Sequence, residues 1–158
     1  MSRAALLLLP LLLAVSASAT IQRPDSLLVG TSKRDVHGIE LAKDALFRLD
    51  AWKKKNKSEG VSSDNWKGFY ATLRLANDDL ILEAISVDNA DGLSTTPVPL
   101  RYLFGADRPV RALWFSGELI AYRIAPGVHK RAALPPYRRE KYKFRTGKLV
   151  SFREHIMP

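Results

Sequence analysis

Ser116 follows the aromatic pair Trp114-Phe115 and precedes Gly117 and Glu118, which puts a hydroxyl two residues from a carboxylate. A serine nucleophile needs a base held at hydrogen-bond distance. No motif around Ser116 nominates one of the three histidines, His37, His129 and His155. Those histidines are far apart and each lies near a turn or terminus, so no metal site is expected from them. The run Asp88-Asn89-Ala90-Asp91-Gly92 lacks the alternating acids and the closing bidentate glutamate of a calcium loop and reads as turn chemistry. Asp78 and Asp79 are neighbours on opposite sides of a strand direction and fit a hairpin turn better than an acid and base pair. There is no Gly-rich phosphate loop, no His-Glu-x-x-His and no Gly-x-Ser-x-Gly. The chain has no cysteine, which excludes disulfides, a catalytic thiol, Cys-ligated zinc and iron–sulfur clusters. No catalytic residue and no cofactor is expected.

The spacing that does suggest chemistry is basic. Lys141, Lys143 and Arg145 alternate with Tyr142 and Phe144, so a strand here would present a cationic face with its aromatics anchored on the other side. Lys148 lies across the following turn, and Arg138 and Arg139 extend the patch. Arg and Lys charges grouped in this way suit phosphate-rich ligands. Trp66 and Trp114, flanked by Phe69 and Phe115, supply a weaker candidate, an aromatic platform for a sugar or peptide.

Charge along the chain sharpens the first candidate. The 158 residues hold 25 Lys or Arg and 16 Asp or Glu, a formal net charge of +9. Between Thr20 and Ala121 there are 14 of each sign, whereas Tyr122 to Pro158 holds 10 basic and 2 acidic residues. Apart from Arg3, the whole excess sits in the last 37 residues, an electrostatic footprint for an anionic partner.

Where that partner is met follows from the N-terminus. Arg3, an apolar run from Ala4 to Val15 broken only by Pro10, and then Ala17-Ser18-Ala19 read as a secretory signal peptide cleaved after Ala19. A run of about twelve apolar residues is too short to span a hydrocarbon core of roughly 30 Å. The expectation is an exported protein of the periplasm or extracellular space, with no integral membrane segment in the mature chain. Export argues against intracellular nucleic acid as the anion. Lipopolysaccharide, anionic phospholipid, wall polymers or an acidic protein remain.

The elements that must position these residues are mostly strands. Leu41, Ala45, Leu49 and Trp52 recur at helical spacing and predict one amphipathic helix over Ala42 to Lys55. Short strands are expected at Ser26 to Val29 and Val36 to Leu41, with a turn over Thr31 to Arg34. From Trp66 the period becomes two, giving a hairpin that turns at Asn77-Asp78-Asp79 into Leu80 to Val87. Loops are expected over Ser58 to Asn65 and from Asp88 to Leu100. Val110 to Phe115 and Glu118 to Ile124 read as strands around Ser116-Gly117. Glu140 to Arg145 and Lys148 to Arg153 form a last hairpin about Thr146-Gly147. The sum is an α+β fold, mainly an antiparallel meander or partly open barrel of about seven or eight strands, with one helix in the N-terminal half. No composition break divides residues 20 to 158, so one domain is expected, its C-terminal segment (122 to 158) basic.

The motifs Trp66-Lys67-Gly68-Phe69-Tyr70, Leu80-Ile81-Leu82 and Trp114-Phe115-Ser116-Gly117, with the early Pro24-Asp25-x-Leu27 and Gly30, carry a resemblance. Over roughly residues 24 to 125 the chain resembles a group of small uncharacterised bacterial proteins that share a Trp-[Arg/Lys]-Gly-[Tyr/Phe] strand and a later Trp-[Phe/Tyr]-[Ser/Thr]-Gly strand. The resemblance implies a common β-rich fold and transfers no catalytic residue. The chain departs from the group after Pro126, where Arg131 to Tyr142 is rich in Arg and Pro.

The functional expectation is a non-enzymatic binding module that contacts an anionic envelope component through its basic C-terminal hairpin. Two alternatives stand beside it. One is a periplasmic immunity or inhibitor protein bound to an acidic partner. The other is a cell-envelope hydrolase with a cleft near Ser116 and Glu118.

Overall fold

A computed structural model describes residues 23–58, 65–124 and 137–157. The signal sequence and its cleavage site, most of the Ser58 to Asn65 loop, His129 and the start of the Arg- and Pro-rich stretch lie outside the described residues.

Alternation of apolar and polar side chains dominates the sequence, and strands dominate the structure. In chain order the elements are β1 (Asp25–Val29), β2 (Ser32–His37), α1 (Lys43–Asn56), β3 (Tyr70–Ala76), β4 (Asp79–Asp88), β5 (Thr95–Val98), α2 (Leu100–Phe104), β6 (Val110–Arg111), β7 (Gly117–Ile124), β8 (Tyr137–Arg145) and β9 (Lys148–Met157). Seven of the strands follow one another around a barrel in the order β3-β1-β2-β7-β8-β9-β4, and β4 pairs back with β3. All pairings are antiparallel except β1 with β3, which run parallel because α1 carries the chain across between them. The α+β, mainly antiparallel expectation therefore holds, with one short strand, β5, inside the expected Asp88 to Leu100 loop and a short second helix added.

The barrel is narrowly closed at one seam. β9 meets β4 at the single register pair Asp79 and Lys148. Farther along the same edge, β4 pairs with β6 at Ile81 and Leu82 and with β5 from Ile85 to Asp88. Pro97 falls in β5, which pairs with no other strand, where a missing N–H is tolerated.

The inward faces form one core. Leu27, Val36, Leu73, Leu82, Leu119 and Phe144 are buried at alternate positions of their strands. Helix α1 adds Ala45, Leu49 and Trp52, one stripe at helical spacing. Its Lys53, Lys54 and Lys55 occupy the last turn, where cations oppose the negative end of the macrodipole. Lys57 follows in the left-handed conformation, φ 52°, as the cap.

Two expected strands are placed differently. The second begins at Ser32 rather than Val36, because Gly30 (φ +60°) and Thr31 suffice to reverse the chain and the return pairs at once, Val29 with Ser32. Gly38 to Ala42 is then an irregular connection into α1. The strand expected over Val110 to Phe115 ends at Arg111, and the Phe115 N–H turns back to the Ala112 carbonyl, 2.9 Å.

Candidate functional site

Period two sorts the basic residues of the last hairpin. On β8, Tyr142 and Phe144 are buried, so Arg139, Lys141, Lys143 and Arg145 take the opposite, outer face. Register brings Arg153 of β9 opposite Lys141 and His155 opposite Arg139. On the other side, β7 contributes Glu118 opposite Lys143, Ile120 opposite Lys141 and Tyr122 opposite Arg139. The result is a three-stranded face in which Glu118 is the one acid among the described residues. Glu118 is held by Lys141 (2.7 Å), whose hydrogen bond keeps its carboxyl below the usual range. Arg139, Lys143 and Arg145 make no ion pair among the described residues.

Two of the six residues expected in the basic patch have other work. Arg138 has the opposite parity, points to the inner face and pairs with Glu154 at 2.9 Å. Lys148 clamps the barrel seam, 2.9 Å from Asp79 and donating to the Asn77 carbonyl at 3.2 Å. Its hydrogen bond leads the interactions that lower the Asp79 carboxyl.

A buried charge cluster fixes the hairpin against the barrel. Glu140 is 3% exposed. It accepts hydrogen bonds from Tyr142 Oη at 2.6 Å, Arg34 Nε at 2.8 Å and Arg123 Nη1 at 3.1 Å. Burial alone would push this carboxyl up, but the three donors outweigh it and hold it below its ordinary value. β2, β7 and β8 are thereby tied together at the root of the basic face.

The hairpin turn is anchored too. Ser116 Oγ accepts the Thr146 N–H at 2.8 Å, and the Gly147 N–H donates to the Phe115 carbonyl at 2.8 Å. Ser116 is thus a turn-holding hydroxyl. It lines a cleft of about 540 Å³ together with Trp114 and Glu118.

Trp66 and Trp114 line two different clefts that share the Gly38–Lys43 segment as a wall. Trp114 is occupied: its ring stacks on Phe104 with centroids 4.9 Å apart, and its Nε1 donates to the Glu40 carbonyl at 3.0 Å. Trp66 is 76% exposed at the rim of the second cleft, about 450 Å³. Phe69 and Phe115 belong to the core.

The second cleft contains Asp25 and Lys67, which the sequence marked as motif positions and not as site residues. Asp25 is 3% exposed, accepts the Ala71 N–H at 2.7 Å and pairs with Lys67. Lys67 in turn lies over the Phe69 ring, 4.4 Å from its centroid. Burial is the leading cause for both, raising the Asp25 carboxyl and lowering the Lys67 ammonium, each toward its neutral form. A further buried carboxylate, Asp88, accepts from Asn65 Nδ2 at 2.8 Å and from Tyr70 Oη at 3.0 Å.

One sequence signal could have found most of these groups. Asp25, Arg34 and Glu140 carry the same strand parity as the buried Leu27, Val36 and Tyr142. A charge at an inward position must find a partner, so each marks a buried pair. Lys67 carries no such signal, because it lies in a turn.

Among the described residues no group of three or more His, Asp or Glu side chains is placed to hold a metal, and no helix is long and apolar enough to cross a membrane. No family model, curated protein or solved structure matches this chain.

Proposed function

We propose that this chain is an exported, non-enzymatic binding module that contacts an anionic component of the cell envelope through the outer face of the β8–β9 hairpin. The observation that supports this reading most is the shared face of Arg139, Lys143 and Arg145, cations that make no ion pair among the described residues, beside Lys141 and Arg153 and with Glu118 as the one acid near them. A face of this kind meets a repeating anion by several weak contacts at once, each screened by salt over a distance of about 10 Å. Its rigidity comes from beneath, from the Glu140 cluster and the Ser116-anchored turn.

The test is binding of the purified chain to lipopolysaccharide, anionic vesicles and wall sacculi at low and high salt. The comparison is the triple variant Arg139→Glu, Lys143→Glu, Arg145→Glu, which touches none of the ion pairs that hold the fold. Retention by one fraction, weakened by salt and reduced at least about tenfold in the variant, is the expected result. Equal binding by the variant, or no binding to any fraction, defeats the reading. Stoichiometric capture of an acidic protein, lost in the same variant, would replace the polymer by a protein partner.

A further inference from the structure

The cleft at Asp25 and Lys67 is built differently from the basic face and calls for a different ligand. Its apolar walls are Ile39, Leu41, Leu46 and Phe69, drawn from the Gly38 to Ala42 connection, α1 and the approach to β3. At about 450 Å³ it falls within the range of small-molecule sites. Trp66 stands at its rim, 76% exposed. An exposed indole beside an apolar cleft offers a flat surface to a ring.

The polar lining is balanced in formal charge, Asp25 and Glu40 against Lys43 and Lys67, with His37 beside them at the end of β2. Asp25 already accepts two hydrogen bonds, from Lys67 and from the Ala71 N–H. Lys67 has three donors; one goes to Asp25 and the ammonium also rests on the Phe69 ring, which leaves donor capacity toward the cleft. A ligand group here must therefore accept a hydrogen bond. A carboxylate or phosphate would add a charge to a lining whose formal charges already balance, beside a largely buried pair. A hydroxyl or carbonyl would not.

We infer that this cleft is a binding site for an uncharged, one- or two-ring compound that stacks on Trp66, packs on Leu46 and Phe69, and accepts a hydrogen bond from Lys67 through a hydroxyl or carbonyl group. The site is independent of the basic face, so either can fail without the other.

The test uses the full chain expressed with its own N-terminal segment, with 2-naphthol as the probe and amide chemical shifts as the readout. Naphthalene lacks the acceptor, and 2-naphthoate replaces it with a charge. The expected result is saturable shifts at Ile39, Leu41 and Phe69 with 2-naphthol. Naphthalene and 2-naphthoate should each bind about tenfold more weakly, the usual scale of a hydrogen bond to a charged donor. Trp66→Ala removes an exposed ring that the core does not need and should weaken 2-naphthol at least about fivefold. Leu46→Trp should fill the cleft and abolish the shifts. Absence of saturable shifts at these residues, equal binding of naphthalene or 2-naphthoate, or an undiminished affinity in Trp66→Ala overturns the inference. The Trp66 variant decides the matter even if Leu46→Trp fails to fold.

Discussion

Replacing Glu140 by glutamine keeps the shape of the side chain and removes its charge beneath the basic face. Three donors converge on the carboxylate, and an amide can satisfy only the side that keeps its oxygen. The amide nitrogen then faces a donor. The side chain of Arg34 is 11% exposed and loses its counter-ion, whereas that of Arg123 is 43% exposed and can turn to water. Removing one partner of a buried pair costs about 3–5 kcal/mol, and an exposed pair contributes about 0–1 kcal/mol. Retention of one acceptor oxygen brings the expected loss to about 3 kcal/mol. That is a large share of the 5–15 kcal/mol typical of a domain and corresponds to a fall in Tm on the order of 10 °C.

The assay is urea unfolding followed by tryptophan fluorescence, repeated as the pH is lowered. The Glu140 carboxyl is held below its ordinary value in the fold. Its stabilisation is therefore present above the unfolded pKa of about 4 and is lost as pH falls through the lower folded value. The gap between wild type and Glu140→Gln should be widest near neutrality and shrink in acid. An unchanged midpoint at neutral pH, or a gap that stays constant in acid, would falsify the account of Glu140 as the charged tie between β2, β7 and β8.

Tyr142 supplies the alkaline counterpart. Burial, and then its hydrogen bond to Glu140, raise the phenol far above its ordinary value, so stability is full below about pH 10 and falls as pH rises past the unfolded pKa. The wild type should lose about 1.4 kcal/mol per pH unit more than Tyr142→Phe in that range, and parallel pH curves would contradict this. Gly147 has φ +71°, and a Cβ there would sit 2.7 Å from the Ala112 carbonyl oxygen, so Gly147→Ala should cost on the order of 2–3 kcal/mol by denaturant titration. Gly30 has φ +60° but open space around it, so Gly30→Ala should cost only about 1 kcal/mol; equal losses at the two sites would show that the contact with Ala112 is unimportant. Trp114→Ala should lose about 2–3 kcal/mol of stability through its stack on Phe104 and its bond to Glu40, while Trp66→Ala should stay within about 0.5 kcal/mol. Similar thermal shifts in these two variants would refute the separation of the tryptophans.

Local pattern carried much of the architecture. The helix at Lys43–Asn56 and the hairpins turning at Asn77-Asp78 and Thr146-Gly147 lie within a few residues of where periodicity and turn chemistry put them, because strand and helix periods are written in neighbouring residues. The basic outer face of β8 was legible for the same reason: alternation along one strand settles which side chains share a side. Arg138 follows from that rule too, since odd and even positions cannot both face outward.

Contacts between distant segments were not written there. The parallel pairing of β1 with β3 and the closure of the barrel through Asp79 and Lys148 join segments 46 and 69 residues apart at register pairs Ser26–Thr72 and Asp79–Lys148, and no local spacing encodes which strand edges meet. The partners of the inward charges belong to the same class: parity announces that Asp25 and Glu140 are buried, but the choice of Lys67 for one and of Arg34 and Arg123 for the other follows from packing. The cleft beside Trp66 is likewise a product of α1 and the Gly38 to Ala42 connection lying against the start of β3. Sequence alone determined which residues share a side along an unbroken stretch of strand, as in β8, whereas the irregularity in β4 moves the buried positions from Leu80 and Leu82 to Ile85 and Val87. Tertiary structure decided which residues meet across the core, because burial and ion pairing act between surfaces that the chain brings together only when it folds.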